Sequence, residues 1–118
     1  MKNNGFTLLE ILMAIVLFTG SVSLIVMLFA NALVASTDAE NTTIAMNLAQ
    51  GKMEEVRNLS FASIADEAKA AVTGFTGFQR EVAVTTSETD LKQVTVTTYW
   101  TYKGGEVEVP LVTYISKN

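Results

Sequence analysis

The 118-residue chain contains no cysteine, no histidine and a single proline. The missing cysteine removes disulfides, thiolate nucleophiles and Cys-based metal sites together. A small exported domain built this way must be held by packing or by its neighbours. The missing histidine removes the side chain most used for acid–base work near neutral pH, and the commonest metal ligand. Any enzyme would have to work through carboxylates, and the adjacent Glu54-Glu55 is a poor candidate. Neighbouring helical residues point apart, and Lys52 and Arg57 lie close by, so this stretch reads as a solvated, salt-bridged face. Basic residues are also scarce, 8 against 12 acidic ones for a net charge of −4. None clusters with aromatics, so no nucleic-acid footprint is readable. Gly74 and Gly77 lack the Lys and Ser/Thr of a phosphate loop, and no cofactor is implied.

Charge is absent altogether between Glu10 and Asp38, where Ile, Leu, Val, Met, Phe and Ala dominate. At about 1.5 Å per residue such a run is ample to cross a hydrocarbon layer of about 30 Å. Lys2 precedes it and Asp38 and Glu40 follow, which places the amino terminus in the cytoplasm and the remainder outside. Ala30-Asn31-Ala32 offers a small-x-small pattern, so release of a soluble product beginning near Leu33 is one alternative. The apolar stretch is longer than a secretory signal needs, however, and Glu10 interrupts its entrance. An uncleaved anchor explains the length but gives Glu10 no role. The positive end of the helix dipole can tolerate a carboxylate there, at about 0.3–1 kcal/mol. Deeper in the bilayer the same group costs about 2.5–3.5 kcal/mol and calls for a cationic partner.

The stretch GFTLLE, preceded by the short leader MKNNG and followed by the apolar run, resembles the class III signal of type IV prepilins and type II secretion pseudopilins. The resemblance implies that prepilin peptidase cuts between Gly5 and Phe6 and that Phe6 is N-methylated. It also makes Glu10 the glutamate at the fifth mature position. Glycine at the cut lets a protease approach the backbone closely. In a bundle of such subunits the Glu10 carboxylate of one chain would meet the Phe6 ammonium of the next, leaving both charges uncompensated in any wrong register. Gly20, within Thr19-Gly20-Ser21, is the expected weak point of the helix, since an interior helical glycine costs about 1 kcal/mol relative to alanine.

Beyond Ala35 the pattern turns amphipathic without a helix breaker. Ala45, Leu48, Ala49, Met53, Val56 and Leu59 recur near helical spacing, which predicts one helix from about Phe6 to Leu59. Gly51 interrupts it, and tight packing against a strand would explain that glycine. NLAQGKMEEVRNL resembles a segment of V-type minor pilins and I-type minor pseudopilins. Residues 61–78 read as a connecting loop, with a short helix at about Ile64 to Ala71 and with Phe75 and Phe78 as anchors. Three strand-like runs follow. One alternates Val82 and Val84; the second places Val94, Val96, Thr98, Trp100 and Tyr102 on one face; the third groups Val107, Val109, Leu111 and Ile115. Lys103-Gly104-Gly105-Glu106 signals a two-residue hairpin, and Pro110 marks an edge or a bulge.

The expected fold is therefore α+β: a long amino-terminal helix whose carboxyl-terminal half packs on a small three-stranded antiparallel sheet. Its divisions would be a cleaved leader at 1–5, a transmembrane and assembly helix at 6–35 and a head at 36–118. Within the head, helix occupies 36–60, the loop 61–78 and the β-meander 79–118. The resemblance implies a non-enzymatic filament subunit of the minor type. Its partners would be prepilin peptidase, other pilin or pseudopilin subunits, the membrane and an inner-membrane assembly platform. The subunit would pass from the bacterial inner membrane into a periplasmic or extracellular filament. The alternative is a monomeric membrane-anchored module that captures a ligand by its edge strand or by Trp100.

Overall fold

The structure, a computed structural model, describes residues 4–118. A single helix, α1, runs unbroken over Leu8–Arg57. The chain divides into two compact units after Thr37. In the first, every residue from 4 to 37 is exposed. A helix apolar on all sides with no protein around it is one whose side chains require another solvent.

The second unit is a helix on a sheet. Ala45, Leu48, Ala49, Lys52, Met53 and Val56 form the buried stripe of α1, spaced by one, three or four residues. Leu59, expected to extend that stripe, lies beyond the helix end and is exposed. The sheet has four strands rather than three, in the order β1-β2-β3-β4 and antiparallel throughout. They are β1 Glu67–Ala71, β2 Phe78–Glu88, β3 Leu91–Tyr102 and β4 Gly105–Ser116.

The additional strand, β1, falls where a loop with a short helix was expected. Its sequence, EAKAA, favours helix over strand. The intrinsic preference is overridden from outside the segment. Gly74 and Gly77, with φ of 84° and 87°, turn the chain back. Val72 then donates its N–H to the Phe78 carbonyl at 3.1 Å, continuing the pairing of β1 with β2. In place of the expected helix the segment carries only a 3-10 turn at Phe61–Ser63. Lys92 on β3 holds that turn, donating from Nζ to the carbonyls of Phe61 at 2.6 Å and Ile64 at 3.0 Å.

The remaining strands follow the alternation in the sequence. Val94, Val96, Thr98 and Trp100 are all buried on the face of β3 turned to α1. Ala49, Met53 and Val56 of α1 pack with Val82, Val94 and Val96, while Ala45 and Leu48 pack with Phe78 and Trp100. Phe78 therefore anchors as expected, whereas Phe75 stays exposed. Lys103 and Gly104, with φ of 50° and 77°, form the tight turn between β3 and β4, the two positive dihedrals of a type I′ hairpin. Pro110 lies on β4, an edge strand. A Cβ at Gly51 would meet nothing within 4 Å, so strand packing does not account for that glycine.

Candidate functional site

The amino-terminal stretch starts outside any helix. Residues 4–7 are non-helical, so the Gly5–Phe6 bond lies in open backbone, and Phe6 is 78% exposed. Met1 to Asn3, including Lys2 of the expected leader, lie outside the described residues. Thr7 caps the helix: the Glu10 N–H donates to Thr7 Oγ1 at 3.2 Å. The bond uses the backbone of Glu10, so it is independent of that residue's charge. Phe6 and Ile11 stand at the positions of a hydrophobic staple around that cap. Phe6, Glu10, Ile11, Ala14, Ile15 and Phe18 line one hollow of about 620 Å³. Phe6 and Glu10 are therefore neighbours on one side of the chain.

Helix α1 continues through Gly20, where nothing approaches within 4 Å of a Cβ position. Three hydroxyls surround that glycine and bond back one turn. Thr19 donates to the Ile15 carbonyl at 2.7 Å, Ser21 to Leu17 at 2.7 Å and Ser23 to Thr19 at 2.9 Å. Such back-bonding competes with the helix's own hydrogen bonds and favours bending. The helix is long and apolar enough to cross a membrane.

In the head, Trp100 is only 4% exposed and sits against Phe78 with ring centroids 6.2 Å apart. It is a core residue, not a surface for ligand capture. Among the described residues no group of His, Cys, Asp or Glu is placed to hold a metal ion. Tyr99, on the opposite face of β3, donates to Glu81 at 2.8 Å. The hydrogen bond to that carboxylate, then partial burial, raises the phenol's pKa.

Lys52 departs from the sequence expectation. It was grouped with the solvated face, yet it is 6% exposed and pairs with Glu67 of β1 at 2.8 Å and Glu55 at 3.0 Å. The signal was its place in the series 45, 49, 52, 56. Burial lowers the ammonium's pKa, but hydrogen bonds and charge from Glu67 and Glu55 outweigh it and the net shift is upward. Glu55 moves downward because it accepts from Lys52. The Glu55 contribution is present above its unfolded pKa and lost as pH falls through the folded value; the Lys52 contribution is present below its unfolded pKa and lost as pH rises through the folded one. Glu67→Ala should therefore cost the head about 2 kcal/mol by leaving a buried ammonium with only one of its two carboxylates. Lys52→Met should cost only about 1 kcal/mol, because it leaves carboxylates that are already half solvated. Urea unfolding of the full chain in detergent, followed by tryptophan fluorescence, measures both. Lys52→Met should also flatten the acid limb of stability.

A helix long and apolar enough to cross a membrane, followed by a helix-on-sheet head, makes this an α+β protein. Residues 1–19 match the family model for the prokaryotic N-terminal methylation motif. The chain thus carries the prepilin-type signal of type IV pilins and pseudopilins. No curated protein and no solved structure matches the chain. A signal of this class points to a structural protein that is processed by prepilin peptidase and assembles with other pilin subunits. The apolar helix is consistent with membrane anchoring before assembly.

Proposed function

We propose that this chain is a structural subunit of a type IV pilus-like filament, a minor pilin or minor pseudopilin, assembled through its apolar helix. The observation that carries the reading is the methylation motif at residues 1–19, which leads into α1, with every residue from 4 to 37 exposed. The peptidase cuts between Gly5 and Phe6 and the new amino group of Phe6 is methylated. The open backbone of residues 4–7, ahead of the Thr7 cap, supports this: the scissile bond can be reached without unwinding α1. The subunit starts in the inner membrane with its amino terminus in the cytoplasm and leaves it for a periplasmic or extracellular filament, on an assembly platform in that membrane. The residues divide into a leader at 1–5, an assembly helix at 6–35 and a head at 36–118.

Between subunits, Glu10 of one chain meets the Phe6 ammonium of the next, and the pair selects the stagger. Gly20 is the point where α1 lengthens in the filament. The hydroxyls of Thr19, Ser21 and Ser23 already contact carbonyls there and can retain those that lose their backbone partners. The segment NLAQGKMEEVRNL and the lack of cysteine support the minor class over a major, shear-bearing subunit.

Mass spectrometry of the membrane-extracted protein tests the reading. The expected species begins at methylated Phe6, and an intact Met1 would overturn it in favour of a monomeric anchored module.

A further inference from the structure

Edge strands are normally protected against pairing with other chains, by charge, proline or bulges. Strand β4 is protected over only half its length. Glu106, Glu108 and Pro110 guard its first half, whereas Leu111 to Ser116 carries neither charge nor proline. Val112 and Tyr114 in this open half are 49% and 60% exposed, two of the few large apolar side chains the head shows to solvent. The backbone there is open as well. Lys117 donates its N–H to the Asp90 carbonyl at 2.8 Å, on the β3 side. By alternation the N–H groups of Val112, Tyr114 and Ser116 point away from β3, in phase with Pro110, which has none to give.

Strand β1 is the opposite edge of the same sheet, and all five of its residues are exposed. It adds no side chain to the buried core, and its composition disfavours a strand. Since Val72 donates toward β2, Ala71 turns its backbone groups outward; a bulge interrupts β1 further back, between Glu67 and Ala70. In a four-stranded meander the two edges run in opposite directions, so a second copy placed beside the first by translation sets its β1 antiparallel to β4.

We propose that the heads of two copies join by continuing the sheet, β1 of one pairing with the open half of β4 in the next. Pro110 fixes the register: with Ala71 facing Val112, β1 runs along the open half of β4, Val112 to Ser116. Shifting β1 toward Pro110 loses a donor, and shifting it the other way runs it past the end of β4. The cleft of about 480 Å³ between α1 and β4 takes the inward side chains of the added strand. Gly51 lies on its wall with open space over it, and the inward residue Ala70 is small. The contact is heterologous, so it repeats from copy to copy without closing. It rests on the filament reading for one point, that both copies stand the same way up in one membrane; a twofold pairing of β4 with β4 would reverse one of them.

The chain's lack of cysteine makes the test clean. Full-length Ala71→Cys and Val112→Cys chains are co-expressed and oxidised in membranes. A hydrogen-bonded antiparallel pair sets Cα atoms about 5.5 Å apart, within disulfide range. Within one chain the two positions lie on strands three steps apart, about 14 Å, and cannot close. Mixed dimers are expected, and a ladder of multimers from the double variant, while Ala71→Cys with Glu108→Cys gives none. Homodimers of Tyr114→Cys in place of the mixed product would overturn the proposal, as would filaments that form without any Ala71–Val112 bond. The latter result would leave the filament reading standing. A mixed product from chains that retain Met1 would support the sheet contact and defeat the filament reading.

Discussion

Glu10→Gln should leave peptidase cleavage and membrane insertion largely intact and lower incorporation into filaments by on the order of tenfold or more, the effect of stranding one low-dielectric charge. The local structure makes this substitution a clean probe. The cap uses the backbone N–H of residue 10, so the Thr7 cap and the start of α1 at Leu8 are retained. Only the charge is lost, and with it the proposed counter-ion for the Phe6 ammonium of a neighbouring subunit. Insertion becomes slightly easier, since a carboxylate no longer has to approach hydrocarbon. The measurement compares the variant's share in sheared filaments with its share in the membrane pool, alongside the mass of its amino terminus. Equal incorporation would remove the charge-pairing role. A matched Thr7→Ala chain isolates the cap, whose loss costs about 1 kcal/mol.

The second large effect is in the head, where two neighbours on β3 should respond in opposite directions. Trp100→Ala removes the largest side chain of its cluster and should destabilise the head by about 3–5 kcal/mol, sufficient to unfold many small domains. Thr98→Val should stabilise it by about 1 kcal/mol. Thr98 is fully buried, and its Oγ1 has no hydrogen-bond partner, so valine of nearly the same shape removes an unsatisfied hydroxyl without opening a cavity. Trp100 Nε1 is likewise buried and unpartnered, so Trp100→Phe should cost much less than Trp100→Ala. Thermal unfolding by circular dichroism separates these variants; a lower melting temperature for Thr98→Val would show that its hydroxyl is satisfied.

What could be read from the sequence was what local chemistry controls. The motif residues, the uncharged run from Ile11 to Thr37 and the alternation of β3 each need only neighbouring residues to be recognised. The Lys103-Gly104 turn was readable for the same reason, because its dihedrals are a property of two residues. Strand β1 was not readable, since EAKAA becomes a strand through a partner supplied by β2 and a turn supplied by Gly74 and Gly77. Lys52 was misassigned because a charged residue in a helical stripe looks solvated until its counter-ions are known, and Glu67 comes from that same unrecognised strand. Gly51 was unreadable for a related reason: it lines an open cleft between α1 and β4, which no neighbouring residue in the sequence marks.

The hollow shared by Phe6 and Glu10 has a consequence for how a subunit is stored and released. On the proposed cut the new ammonium would arise on a residue that lines the same hollow as Glu10, so the two charges can neutralise each other while the subunit waits in the bilayer. Joining a filament would then exchange a partner within the chain for one in the next chain. The pair would matter most after joining, because at the membrane interface water can cover an ammonium that lacks its glutamate and in a packed bundle it cannot. A filament closed by such an exchange can be dismantled by the reverse exchange, returning each subunit to the membrane with its charge still covered.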